Sequence, residues 1–77
     1  MEKIALSLPT IESVKTFVHI IAKFGGSYDL ISGRYIVDAK SLMGILSLDL
    51  TQPLILKIPD DQNTPALREA LKPFIVS

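Results

Sequence analysis

The chain has 77 residues, 48% of them apolar and 21% charged, a globular composition on a chain long enough for one domain spanning residues 1–77. Eight Lys and Arg balance eight Asp and Glu, and no basic block interleaves with aromatics, so the electrostatic footprint of direct nucleic-acid binding is absent. There is no cysteine, which excludes disulfides, thiol nucleophiles and cysteine metal sites, and makes an intracellular address the default.

The N-terminal "MEKIALSLP" lacks a signal-peptide apolar core of adequate length. Within it "KIALSL" alternates, with Ile4, Leu6 and Leu8 on one side, and predicts a strand with one buried face. Pro9 ends that strand and Thr10 can cap a helix begun just after it. Ile11, Val14, Val18 and Ile21, joined by Phe17 and Phe24, recur at helical spacing opposite a polar stripe of Glu12, Thr16, His19 and Lys23. The apolar stretch 14–24 is too short and too interrupted to cross a bilayer. Gly25 and Gly26 are expected to stop the helix. The expectation is a soluble, cytoplasmic protein with no membrane partner.

"SYDLISGRYIVD" holds two β-prone runs with Ser32 and Gly33 between them, the pattern of a hairpin. Ser41 can cap a short helix whose Leu42, Ile45 and Leu46 share one face. "PLILKI" is a further strand with Leu54, Leu56 and Ile58 on one side, and "PDDQN" is a turn. Thr64 before Pro65 opens a last helix, because proline at the first helical position gives up no needed hydrogen bond. Ala66, Leu67, Ala70 and Leu71 form its apolar face, and Pro73 ends it. The order β-α-β-β-α-β-α, with short strands and one hairpin, predicts an α+β fold with the helices covering one face of a mostly antiparallel sheet.

Few residues invite chemistry. His19 is the only histidine, and it lies on the polar stripe with no carboxylate at helical spacing on its C-terminal side. The carboxylates are scattered, so no metal site and no cofactor is expected. Asp60 and Asp61 read as a solvated turn favouring the N-terminus of the last helix. Asp29 and Asp38 lie at the outer ends of the hairpin, and no substrate position between them is evident. Gly25-Gly26 comes after a helix rather than opening one, so it is no phosphate loop. Ser41 has two compatible roles. It can cap its helix, worth typically ~1 kcal/mol, and it can accept a phosphate, which would meet free backbone N–H groups there.

The string "AKSLMGILSLDL" resembles the stretch after the third strand in the HPr family, the phosphocarrier proteins of the bacterial phosphotransferase system. Family sequences carry Lys-Ser, an aliphatic residue, Met-Gly, two further aliphatics and Ser-Leu-Gly there. This chain has Lys40 through Leu48 in that order, with Asp49 where glycine is usual. Element order also fits over nearly the whole chain. The resemblance implies an open-faced β-sandwich of four antiparallel strands with three helices on one face.

The resemblance also shows a departure. Family members carry the phosphoryl group on a histidine at the start of the first helix, within Gly-Leu-His-Thr/Ala-Arg-Pro. This chain has "SLPTIESVK", which puts Thr10 in the histidine's place, Glu12 in the arginine's and Ser13 in the proline's. Glu12 would repel a phosphoryl group, and a threonine alkoxide is rarely available at neutral pH. The expectation is a chain with no catalytic residue, not an enzyme. The resemblance implies a regulatory role instead, with Ser41 matching the serine that a dedicated HPr kinase phosphorylates. Leu42, Met43 and Leu46 match a partly exposed patch that docks a transcription regulator, with Ile45 and Leu48 pointing inward. Two alternatives stand beside this: a phosphocarrier using an atypical acceptor, and an unrelated α+β binding module. The oligomeric state is not indicated.

Overall fold

The computed structural model describes residues 2–59 and 64–76. Asp60 and Asp61, and most of the turn read at 59–63, lie outside them. The elements are β1 (Glu2–Leu6), α1 (Ile11–Ile21), β2 (Asp29–Ser32), β3 (Tyr35–Asp38), α2 (Leu42–Leu46), β4 (Leu54–Ile58) and α3 (Thr64–Ala70), with a final 3-10 turn over Lys72–Phe74. The strands form one antiparallel sheet in the order β1-β4-β2-β3.

Alternation along the strands decides which face is buried. Ile4, Leu6, Leu30, Leu54, Leu56 and Ile58 point to the same side and are almost fully excluded from solvent. Val14, Phe17 and Ile21 of α1, Ile45 of α2, and Leu67 and Leu71 of the C-terminal helical segment meet them there in one core. Burying each such side chain is worth about 1.5–3 kcal/mol. Phe17 also meets Phe74 edge-on, with ring centroids 6.5 Å apart and planes at 85°. The three helices therefore share one face of the sheet, and among the described residues the other face carries none.

Several boundaries differ from the sequence expectation. The hairpin pairs Ser32 with Tyr35, so its two-residue connection is Gly33-Arg34 rather than Ser32-Gly33. Gly33 takes φ +59° and Arg34 a negative φ, the pattern of a type II′ turn, whose twist suits a hairpin. Helix α1 ends at Ile21, before the glycines. Its last turn tightens to i→i−3 bonds, Lys23 N–H to Ile20 C=O and Phe24 N–H to Ile21 C=O, both 3.1 Å. Gly26 then takes φ +94°.

Two apolar residues expected inside are outside. Ile11, at the first helical position, is 57% exposed and takes no part in the core. Ala66 is exposed while Leu67 and Leu71 carry the buried face of the last helix. Tyr28 and Ala39, which no periodicity marks, are buried.

Candidate functional site at two helix N-termini

The segment entering α2 is fixed before the helix begins. Asp38 accepts two hydrogen bonds, from Lys40 N–H at its Oδ1 and from Ser41 N–H at its carbonyl, both 2.9 Å. The Lys40 ammonium reaches back to the end of α1, donating to Phe24 C=O at 2.6 Å and Gly26 C=O at 2.9 Å. It also lies 5.6 Å from the centroid of the Tyr28 ring, a cation–π distance. The Tyr28 hydroxyl donates to Gly25 C=O at 2.9 Å, and Ala39 N–H donates to Tyr28 C=O at 2.9 Å. Lys40 thus binds carbonyls of the loop that follows one helix while holding the next helix's start in place.

Ser41 is the N-cap of α2. Its backbone is extended at φ −99°, ψ 105°, and its Oγ accepts a hydrogen bond from Gly44 N–H at 3.1 Å. Gly44 explains its own presence in a helix where its propensity is poor. A Cβ there would stand 3.1 Å from Ser41 Oγ and 3.3 Å from Val37 Cβ, so the glycine lets the first turn close onto both the cap and β3. No acidic residue lies in this first turn.

The patch on α2 is graded rather than split. Met43 is 75% exposed. Leu42 and Leu46 are half-buried and rest on the core, and only Ile45 is fully excluded. Leu48, expected to point inward with Ile45, is likewise only half-buried. Helical spacing had Leu42 and Leu46 inside, and the family resemblance had them outside. Each holds for part of the side chain, because a helix of five residues turns too little to hide two stripes.

The N-terminus of α1 is built differently. Thr10 is its N-cap at φ −127°, ψ 161°. Thr10 Oγ1 accepts from Ser13 N–H at 3.0 Å, and Thr10 N–H donates to Ser13 Oγ at 3.0 Å, a reciprocal capping box. The Ser13 hydroxyl donates in turn to Thr10 C=O at 2.6 Å. Glu12 stands exposed in the first turn, where its charge complements the helix dipole. The Thr10 oxygen is therefore occupied as an acceptor, with a carboxylate on its own turn.

His19 is exposed in the last turn of α1, away from either cap. Among the described residues no three His, Asp or Glu side chains gather to hold a metal ion, and no helix is long and apolar enough to cross a membrane. The sequence did not foresee a groove between the hairpin tip and the end of α2, lined by Tyr35, Ile36, Val37, Leu48 and Asp49. The broken alternation at Ile36 and Val37 was its one visible sign. Asp29 and Asp38 are brought directly opposite each other, on the face that carries no helix.

No family model matches the chain, and no curated protein matches it. Among solved structures it is similar to HPr-C-His from Thermoanaerobacter tengcongensis, with 25% sequence identity and a TM-score of 0.74 over 95% of this chain and 89% of that one. Three helices on one face of a β1-β4-β2-β3 antiparallel sheet, together with this likeness, give the chain the HPr-like fold of a phosphocarrier-type protein.

Proposed function

We propose that the protein is a non-enzymatic, cytoplasmic HPr-like binding protein, regulated at Ser41 and docking protein partners through Leu42, Met43 and Leu46. The observation that carries this reading is the pairing of a capping serine with a 75% exposed methionine two residues on, in a first turn free of acidic side chains. A phosphate on Ser41 would replace a single cap bond and meet the N–H groups at the start of α2, which have no intrahelical partners. Its added charge would stand beside an apolar patch, so phosphorylation changes the surface a partner reads. The HPr resemblance makes an HPr kinase and a transcription regulator the expected partners.

Incubation with an HPr kinase and ATP, then mass spectrometry, tests the proposal. Phosphate on Ser41, lost in Ser41→Ala, is the expected result. An unmodified Ser41 under conditions where a histidine-bearing HPr is fully modified would sink it. The competing reading, phosphotransfer through an atypical acceptor, predicts label from phosphoenolpyruvate delivered by the system's first enzyme. Thr10 is poorly suited to accept it, since its hydroxyl oxygen is engaged by Ser13 and Glu12 is on the same turn.

A further inference from the structure

The helix-free face of the sheet carries two rows of side chains that cross all four strands. In one, Ala5 lies opposite Ile55, Ile55 opposite Ile31, and Ile31 opposite Ile36. Val76 extends this row past β1, its N–H donating to Ala5 C=O at 2.9 Å. Ile36 is 61% exposed, and Ala5, Ile31 and Ile55 are partly buried. Two residues along each strand, the other row runs Lys3, Lys57, Asp29, Asp38. Its charges therefore read plus, plus, minus, minus from one edge of the sheet to the other. Among the described residues none of these four side chains forms an ion pair.

This order is unfavourable for a chain alone. Like charges directly opposite each other destabilise an antiparallel pair, and two of the row's three neighbouring pairs are of that kind, Lys3 with Lys57 and Asp29 with Asp38, against one favourable pair, Lys57 with Asp29. A covering surface with the reverse order of charges would relieve both, and a second copy of the chain is such a surface. A half-turn about an axis parallel to the strands, midway between β4 and β2, lays β1 over the partner's β3 and β4 over the partner's β2. Lys57 then faces the partner's Asp29, Lys3 faces the partner's Asp38, and the apolar rows meet. A half-turn about an axis across the strands would instead set lysine on lysine and aspartate on aspartate.

We propose that the chain forms a symmetric dimer through the helix-free faces of two sheets, with its twofold axis along the strands. The contact is isologous, as a closed dimer requires. Sheets packed this way lie about 10 Å apart and cross at about −30°. That crossing displaces the outer strands most, so Lys57 and the partner's Asp29, nearest the axis, are the best-aligned pair. Four short strands make a small interface, so association is weak, roughly micromolar to millimolar.

The test is a charge swap read by sedimentation equilibrium, with circular dichroism to monitor folding. Lys57→Glu alone and Asp29→Lys alone should each weaken self-association about tenfold or more, because each sets like charges against one another at both symmetric positions. An equimolar mixture of the two variants should associate again, since each supplies the sign that the other lacks. For the native chain, amide shifts that change on dilution should map to β-strand positions 3, 5, 29, 31, 36, 55 and 57. A native chain that stays monomeric up to about 1 mM overturns the proposal. So does a mixture that associates no better than either variant, or a dilution map that falls on the helices.

Discussion

Helices α1 and α2 both start with a hydroxyl residue that caps the third amide of its helix, yet the two caps are differently committed. Thr10 is locked by two reciprocal bonds with Ser13 and shares its turn with Glu12. Ser41 makes one side-chain bond, to a glycine, and its turn carries no acid. Local sequence rules class both as N-caps. What separates them is what a new negative charge would encounter: at Thr10 a displaced capping box and a carboxylate, at Ser41 open amides beside an exposed methionine. The difference teaches that two N-caps of the same residue class can offer an added negative charge opposite surroundings.

The comparison can be broken at its foundations first. Ile45→Ala removes the one fully buried side chain of α2 and should lower stability by about 2–5 kcal/mol in urea titration. If it lowers stability by only a few tenths, α2 is not anchored to the core and its patch has no fixed shape. The double variant Thr10→Ala/Ser13→Ala removes both arms of the capping box, Thr10 Oγ1 and Ser13 Oγ, and should lower stability by about 1–2 kcal/mol. Ser41→Ala loses a single bond on a shorter helix, so about 0.5–1 kcal/mol is expected. Equal losses from these two variants would erase the asymmetry between the caps. Met43→Ser should stay within about 0.5 kcal/mol of the parent while weakening partner binding, since that side chain is exposed.

The smallest effect concerns the acid limb beyond α2. Asp49 accepts from the Thr51 hydroxyl at 2.5 Å and the Thr51 N–H at 3.1 Å, and these bonds, the hydroxyl first, hold its carboxyl below the ordinary 3.8. A carboxyl depressed on folding stabilises the native state above its unfolded pKa. That contribution disappears as pH falls from about 3.8 through the lower folded value. In Thr51→Val the Asp49 titration, read by side-chain carboxyl NMR, should move back toward 3.8, with the remaining backbone bond keeping it slightly low.

Much of the fold was legible because each element announced itself with its own chemistry. The alternation of Ile4 and Leu6, the stripe of Val14, Phe17 and Ile21, and the Thr64-Pro65 start all correspond to observed elements, although β1 ends at Leu6 and the buried Leu8 lies beyond it. The misplacements have local causes. Gly33 was expected to come second in the turn, after a serine, but its positive φ belongs at the first loop position, which moves the connection to Gly33-Arg34. Ile11 continues the α1 stripe in sequence, but it stands at a helix end that the core does not reach. Of the site, the two caps were readable from residue type alone. The clamp of Lys40 on Phe24 and Gly26 was not, because it joins residues 16 and 14 positions apart. The charge row on the helix-free face could not be read either, since it exists only once four strands are in register.

The position of β4 between β1 and β2 has a consequence for synthesis. Strand β1 is made early, but the strand beside it in the sheet begins at Leu54. At translation rates of about 5–20 residues per second, β1 waits several seconds for that neighbour. Throughout that interval Ile4, Leu6 and Leu8 have no sheet to join, and an unpaired apolar strand invites pairing with other chains. The emerging polypeptide therefore has no self-sufficient half. A ribosome paused before residue 54 should hold a protease-sensitive, chaperone-bound chain, and release of β4 should close the molecule in a single late step.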